Sequence, residues 1–390
     1  MILNHKDDLK AFREAVHAWA RETAPPEQAH RWLDAKESNE QLEIQRWWLG
    51  ECHKVGLAIP HWPEAYGGGG LGLAHQIIIA DEFVKANTPG PGVFNVALNH
   101  VPATLIPYGS EYQKQKYLPS VPHGAVWCQG FSEPEAGSDL AALRTRAVRD
   151  GDAYVVNGHK IWSSHSMYAR YCLLLARTDF EAKKQRGISY FILDMTAPGV
   201  EVRPIRKSTG ASRFGEIFLD DVRIPVEDRI GDENQGWTIA QATLSSERGV
   251  MFFDRTEREQ PSVQRFYAQA LSNNAAWLQD DQLRREFMRV FAERQALRRH
   301  IRALLKENPQ EGVWSVTPAL IKLSSSILRA RLTELQVRMA DLEGLLVTGE
   351  TPASQGSMYE YLDSFGDTIG GGTNEIMRNL VAERSLNMPR

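Results

Sequence analysis

Apolar positions recur three and four residues apart through the first third of the chain. Leu9, Phe12, Val16 and Ala20 fall near helical spacing. Residues 41–57 repeat the pattern with Leu42, Ile44, Trp47, Trp48 and Leu49. Pro60, Pro63 and the run Gly67-Gly68-Gly69-Gly70 break it. A third helix is expected from Leu73 through Ile77, Ile78, Ile79, Phe83 and Val84, and shorter helical stretches over 101–108 and 112–117. Near residue 126 the texture changes. Short β-like runs appear at Tyr154-Val155-Val156, 171–175, 188–193, 200–204 and 216–222. Asp150-Gly151-Asp152 and Asn157-Gly158 read as hairpin turns between such runs. After Gly236 the helical period returns, most clearly over 282–305, 318–346 and 376–386, with loops at 308–312 and 348–356. The pattern predicts an α+β multidomain chain: a helical domain over 1–125, a β-barrel or sandwich over 126–235, and a helical domain over 236–390. It is not the strand–helix alternation of a doubly wound sheet.

Composition narrows the class. A length of 390 residues suits two or three domains. Hydrophobic content of 42% and charged content of 24% are those of a soluble globule. A formal charge of −4, spread along the chain, argues against nucleic acid or an anionic membrane as partner. Cys52, Cys128 and Cys172 form no CxxC pair, so neither a disulfide framework nor a zinc site is expected, and a reducing compartment is. The first residues lack a secretory apolar run, and no segment approaches the ~18–20 apolar residues of a membrane span. A cytoplasmic location is the expectation.

Candidate chemistry is uneven. Gly67 to Gly72 contains GxGxxG, but Pro60 and Pro63 precede it and helices flank it, so a glycine-rich turn is the better reading than a dinucleotide fingerprint. The eleven histidines are scattered without HExxH, so no metal is expected, and GxSxG is absent. The informative stretch is 128–164. It opens Cys128-Gln129-Gly130-Phe131-Ser132-Glu133-Pro134-Glu135-Ala136-Gly137-Ser138-Asp139 and closes Val156-Asn157-Gly158-His159-Lys160-Ile161-Trp162-Ser163-Ser164. A hydroxyl-rich loop and a strand with an exposed-looking Trp suit a flat, polar-edged aromatic ligand. A hairpin with an unremarkable loop is the alternative.

These runs resemble the acyl-CoA dehydrogenase family, whose Ser/Thr-Glu-Pro-x-Ala-Gly-Ser-Asp and Asn-Gly-x-Lys-x-Trp-x-Ser segments line a flavin. Further matches follow in order. They are Pro63-Glu64-Ala65-Tyr66-Gly67-Gly68, the strand from Gly215 to Pro225, the run 231–236 with Leu244-Ser245-Ser246-Glu247-Arg248, and Gly370-Gly371-Gly372-Thr373-Asn374-Glu375-Ile376. The resemblance covers nearly the whole chain. It implies FAD as cofactor and a C-terminal four-helix bundle. It implies that Gln129, Phe131, Ser132, Gly137 and Ser138 contact flavin or pyrophosphate. Trp162 would pack on the isoalloxazine, Ser164 would bond its edge, and Gly372 and Thr373 would reach it from the bundle. Ser138, Arg248 and Gly371 would border the substrate, an acyl-CoA.

The implied reaction is α,β-dehydrogenation: a carboxylate removes the α proton while the β hydride passes to FAD. Many members carry the base in Tyr-Glu-Gly-Thr. Here that glutamate position is Gly371, and the resemblance moves the base to Glu247, in the Glu-Arg pair used by members acting on branched chains. The bland reading of Glu247 is a helix-terminus glutamate or salt-bridge partner. Loss of the side chain at 371 makes room for a bulky, branched or steroid-type acyl group. The run Tyr267-Ala268-Gln269-Ala270-Leu271-Ser272-Asn273 also lacks an Arg that many homotetrameric members send to the neighbour's FAD. This leaves a homo- or hetero-oligomer, dimer or tetramer, with electron-transfer flavoprotein as the implied acceptor. A heteromeric subunit, a flavin oxidase or monooxygenase on the same fold, and a silent partner subunit are the competing readings.

Overall fold

A computed structural model describes residues 2–25, 39–246, 250–307, 317–340, 356–384 and 386–389. Helices occupy the first third: α1 (Leu9–Thr23), α2 (Asn39–Lys54), α3 (Leu73–Lys85), α4 (Val101–Tyr108) and α5 (Glu111–Tyr117). Asp8 caps α1, accepting from the N–H groups of Lys10 and Ala11, and Phe12, Val16 and Ala20 form its buried stripe. A capping box of Ser110 and Gln113 starts α5. Eight strands follow: β1 (Trp127–Gly130), β2 (Arg146–Asp150), β3 (Ala153–Ser164), β4 (Tyr171–Arg177), β5 (Ile188–Asp194), β6 (Val200–Ile205), β7 (Phe214–Pro225) and β8 (Arg229–Ile230). The remainder is helical: α6 (Gly236–Ser246), α7 (Val250–Ser272), α8 (Asp281–Glu307), α9 (Thr317–Met339), α10 (Ser357–Ile369) and α11 (Asn374–Arg384). The order helical, β, helical is the one the hydrophobic periods predict.

The strand order is β6-β7-β3-β2-β4-β5-β8, with β1 beside β4 in parallel. The sheet does not close, so the barrel alternative gives way to a sandwich-like arrangement. β2 meets β4 only at Arg146 and Arg177. Cys172, Leu174 and Ala176 of β4 point into an interior shared with Tyr154, Val156, Ile217, Leu219 and Val222. Leu173 and Leu175 point the other way, into a core with Val101, Leu105, Ile239 and Ala240 of α4 and α6. Burial on both faces explains why β4 reads as a continuous apolar run.

One predicted turn is corrected. Gly151-Asp152 does turn the chain between β2 and β3, with Gly151 at φ +62°. Asn157-Gly158, however, lies inside β3. The Asn157 amide donates to Asp221 Oδ1 and its carbonyl accepts from the Asp221 N–H, both at 2.9 Å, stitching β3 to β7. Gly158 is needed for close approach, since a Cβ there would sit 2.4 Å from Thr145 Oγ1.

By internal contact the chain divides into two compact units. One holds Glu37–Gly70 and Pro89–Glu247, and so contains the whole sheet with α2, α4, α5 and α6. The other holds Met1–Lys36, Leu71–Thr88 and Arg248–Arg390. Within the second, Ala80 of α3 packs with Phe253, Ile301 and Ile321 of α7, α8 and α9. Among the described residues no helix is long and apolar enough to cross a membrane. None of the three cysteines is in a disulfide, and all three are buried.

Candidate functional site

The predicted ligand loop leaves the sheet at the end of β1. Gln129 is half-buried, and its Nε2 is buried without a hydrogen-bond partner. Phe131 turns its ring into the core, 5.7 Å from the Tyr190 ring. Ser132 is half-buried, and the segment then pinches, the N–H and C=O of Glu133 bonding those of Ala136. Gly137 and Ser138 stand exposed beyond the pinch, with no protein atom within 4 Å of a Cβ placed on Gly137. Arg177 steadies the return of the loop, donating to the carbonyls of Ala141 at 2.8 Å and Leu143 at 3.2 Å.

β3 brings the other half. Its pairing with β7 slips between Lys160 and Ser163. This bulge changes the parity of the strand. Tyr154, Val156 and Lys160 are buried, but past the bulge it is Ser163, not Trp162, that is buried. Trp162 is thereby turned outward, at φ +61° and 56% exposed. Ser163 Oγ donates to Gln129 O at 2.8 Å, and Ile161 N–H to Ser132 O at 2.9 Å, so the bulge is laced to the loop. Ser164 follows, half-buried. Ser132, Ser138 and Ser164 direct no side-chain hydrogen bond to another described residue.

A buried ion pair joins the two segments. Lys160 is fully buried and donates to Glu133 Oε1 at 2.7 Å and to Phe131 O at 3.1 Å. Glu133 also accepts from the N–H groups of Arg144 at 2.6 Å and Thr145 at 2.9 Å. Burial pushes the Glu133 carboxyl up, but the Lys160 ammonium and these donors outweigh it and hold it below the usual range. Sequence reasoning quoted both residues and gave them no role. The available signal was a lysine at an inward position of an alternating strand.

The other compact unit carries the glycine turn. Gly371 and Gly372 lie at φ +69° and +95°. Thr373 caps α11, its Oγ1 accepting from Ile376 N–H at 3.2 Å. Asn374 anchors the turn to α9, accepting from Lys322 Nζ at 3.1 Å and Ser326 Oγ at 2.8 Å. Glu247 and Arg248 lie outside the described residues. Among the described residues no His, Cys, Asp and Glu cluster suited to a metal occurs.

The β-domain groups fit a flavin. Trp162 is offered outward, Ser132 and Ser164 lie on the segments laced together at its bulge, and the buried Gln129 amide nitrogen has no partner among the described residues. Profiles of the acyl-CoA dehydrogenase N-terminal, middle and C-terminal domains match residues 6–125, 128–222 and 234–386. Acyl-CoA dehydrogenase IpdE1 of Mycobacterium tuberculosis is 34% identical over 98% of both chains. The solved "Tcur3481-Tcur3483 steroid ACAD" superposes with a TM-score of 0.83 at 30% identity, covering 98% of each chain. A chain of the ChsE4-ChsE5 complex from Mycobacterium tuberculosis gives 0.78 at 28%, covering 99% of this chain and 98% of that one.

Proposed function

The chain belongs to the acyl-CoA dehydrogenase family, and from that premise we propose that it removes the α and β hydrogens of a bulky acyl-CoA thioester, leaving the trans-2-enoyl thioester. FAD, when bound, supplies the hydride acceptor. The observation that carries the cofactor assignment is Trp162, turned outward by the β3 bulge that is laced to the Gln129–Ser132 segment, with the hydroxyls of Ser132 and Ser164 bonding no other described residue. Trp162 would cover the ring face and Ser164 its edge. Gln129, Phe131, Ser132, Gly137 and Ser138 would line the loop side, and Gly372 and Thr373 would contribute from the glycine turn.

Glu247 is assigned the α proton. A carboxylate serves if its surroundings are dry enough to raise its pKa toward working pH. Arg248 and Ser138 would hold the thioester's CoA arm. The Gly371 N–H would donate to the thioester oxygen, where enolate charge develops. Without a side chain at 371, a branched, cyclic or steroid-type acyl group has room, and the steroid wording attached to a 30% identical structure supports that class. A heteromeric assembly is the second reading, favoured by the paired names of both structural relatives and by the missing Arg between Tyr267 and Asn273. Electron-transfer flavoprotein is the proposed acceptor, and the cytoplasm the proposed location.

Anaerobic titration of the flavin-loaded chain with a panel of CoA thioesters tests the reading. Loss of the visible flavin band with a bulky thioester is expected. Glu247→Gln should hold FAD and abolish that bleaching; full reduction of this variant by substrate would remove Glu247 from the role.

A further inference from the structure

We propose that Glu133 and Lys160 are positioning residues for FAD, an internal latch that sets the ligand loop against the Trp162 bulge. The inference rests on the flavin assignment above and extends it to two residues that point away from the ligand side.

Each end of the latch fixes a different piece of the platform. Glu133 closes the base of the 134–143 excursion by accepting from Arg144 and Thr145 N–H, so the position of Gly137 and Ser138 is referred to its carboxylate. Lys160 grips the chain just before that excursion through Phe131 O and Glu133 Oε1. Two residues further along β3 lies Trp162, and the intervening Ile161 N–H holds Ser132 O. The carbonyls of Gln129, Phe131 and Ser132 are therefore all held from β3, by Ser163, Lys160 and Ile161. An ammonium with no exposed surface is an expensive way to brace a loop, because desolvation opposes it. A hydrophobic pair would pack as well. What apolar contact lacks is direction, and three donors on one nitrogen supply it.

The test compares Glu133→Gln, Lys160→Met, the double variant and Glu133→Asp with wild type. The readouts are the FAD dissociation constant, the resolved shoulder of the flavin absorption band and apoprotein melting. The double variant carries no unpaired buried charge and is expected to fold, yet to bind FAD at least tenfold more weakly with a broadened band. Glu133→Asp keeps the charge and shortens the reach. It is expected to weaken FAD several-fold at nearly wild-type apoprotein stability, so the proposal stays testable if the double variant does not fold. A folded variant of either kind with wild-type FAD affinity and spectrum overturns the latch alone. A wild-type chain that takes up no FAD overturns the flavin assignment, and the latch falls with it.

Discussion

Trp162 occupies a left-handed backbone position at φ +61°, which strains a bulky L-residue by about 1–2 kcal/mol. Without the bulge before it, the indole would continue the inward row of Tyr154, Val156 and Lys160. That bulge was not legible in the sequence, because bulges depend on the partner strand and leave no periodic trace. The motif singled out Trp162, and only the pairing shows why it faces out. Glycines divide in the same way. Gly158 is required by the fold, with Thr145 pressed against it, whereas Gly137 has open space where a Cβ would go. Gly158→Ala should therefore destabilise the apoprotein by about 1–3 kcal/mol in denaturant melts. Gly137→Ala should leave apoprotein stability within about 0.5 kcal/mol, as surface changes do, while weakening FAD binding. Equal stability losses in the two variants would contradict this division.

Among the elements, α10 inverts the usual rule. Its charged stripe Glu360, Asp363 and Asp367 is directed onto Arg329 of α9, while Phe365 and Ile369 are 48% and 64% exposed. In the sequence this helix is covered only by the helical period that resumes after Gly236 and runs to the end of the chain, without being one of its clearest stretches. Asp367 also reaches Arg255 of α7 at 2.5 Å, so three helices share one carboxylate three residues before Gly370. Burial pushes the Asp367 carboxyl up, but the two guanidinium groups outweigh it and hold it below the ordinary aspartate value. Glu257, between Arg298 and Arg302, is depressed for the same reasons. A carboxyl lowered in the folded state stabilises it above the unfolded pKa, and that contribution is lost as pH falls through the folded value. Stability of these helices should thus decline on acidification below about 4.3 for Glu257 and about 3.9 for Asp367. Asp367→Asn should lower stability at pH 7 by roughly 3 kcal/mol and flatten the acid limb. An unchanged acid limb would show that Asp367 does not carry it.

For the whole molecule, the succession of helical, β and helical segments was legible because the hydrophobic period changes near residues 126 and 236. The division into compact units was not. Helices α1 and α3 join the unit of the C-terminal helices, while α2, α4 and α5 join the sheet. An apolar stripe says that a helix packs, not on what, so chain order alone could not assign these helices. The same limit applies between chains. Phe365 and Ile369 lie one turn apart on α10, and Leu386 and Met388 near the C-terminus are 65% and 54% exposed. Exposed apolar side chains one turn apart on a helix are candidates for an association face. The occupant we expect is a second chain of the same fold, identical to this one or related to it. At micromolar concentration the purified chain should then scatter light as a dimer or larger assembly. Phe365→Glu with Ile369→Lys should shift it toward a single chain without lowering its melting temperature, because neither side chain is buried within the chain. A wild-type chain that stays monomeric at that concentration would leave a non-identical partner as the only occupant, and co-purification with a second acyl-CoA dehydrogenase chain would then decide the matter.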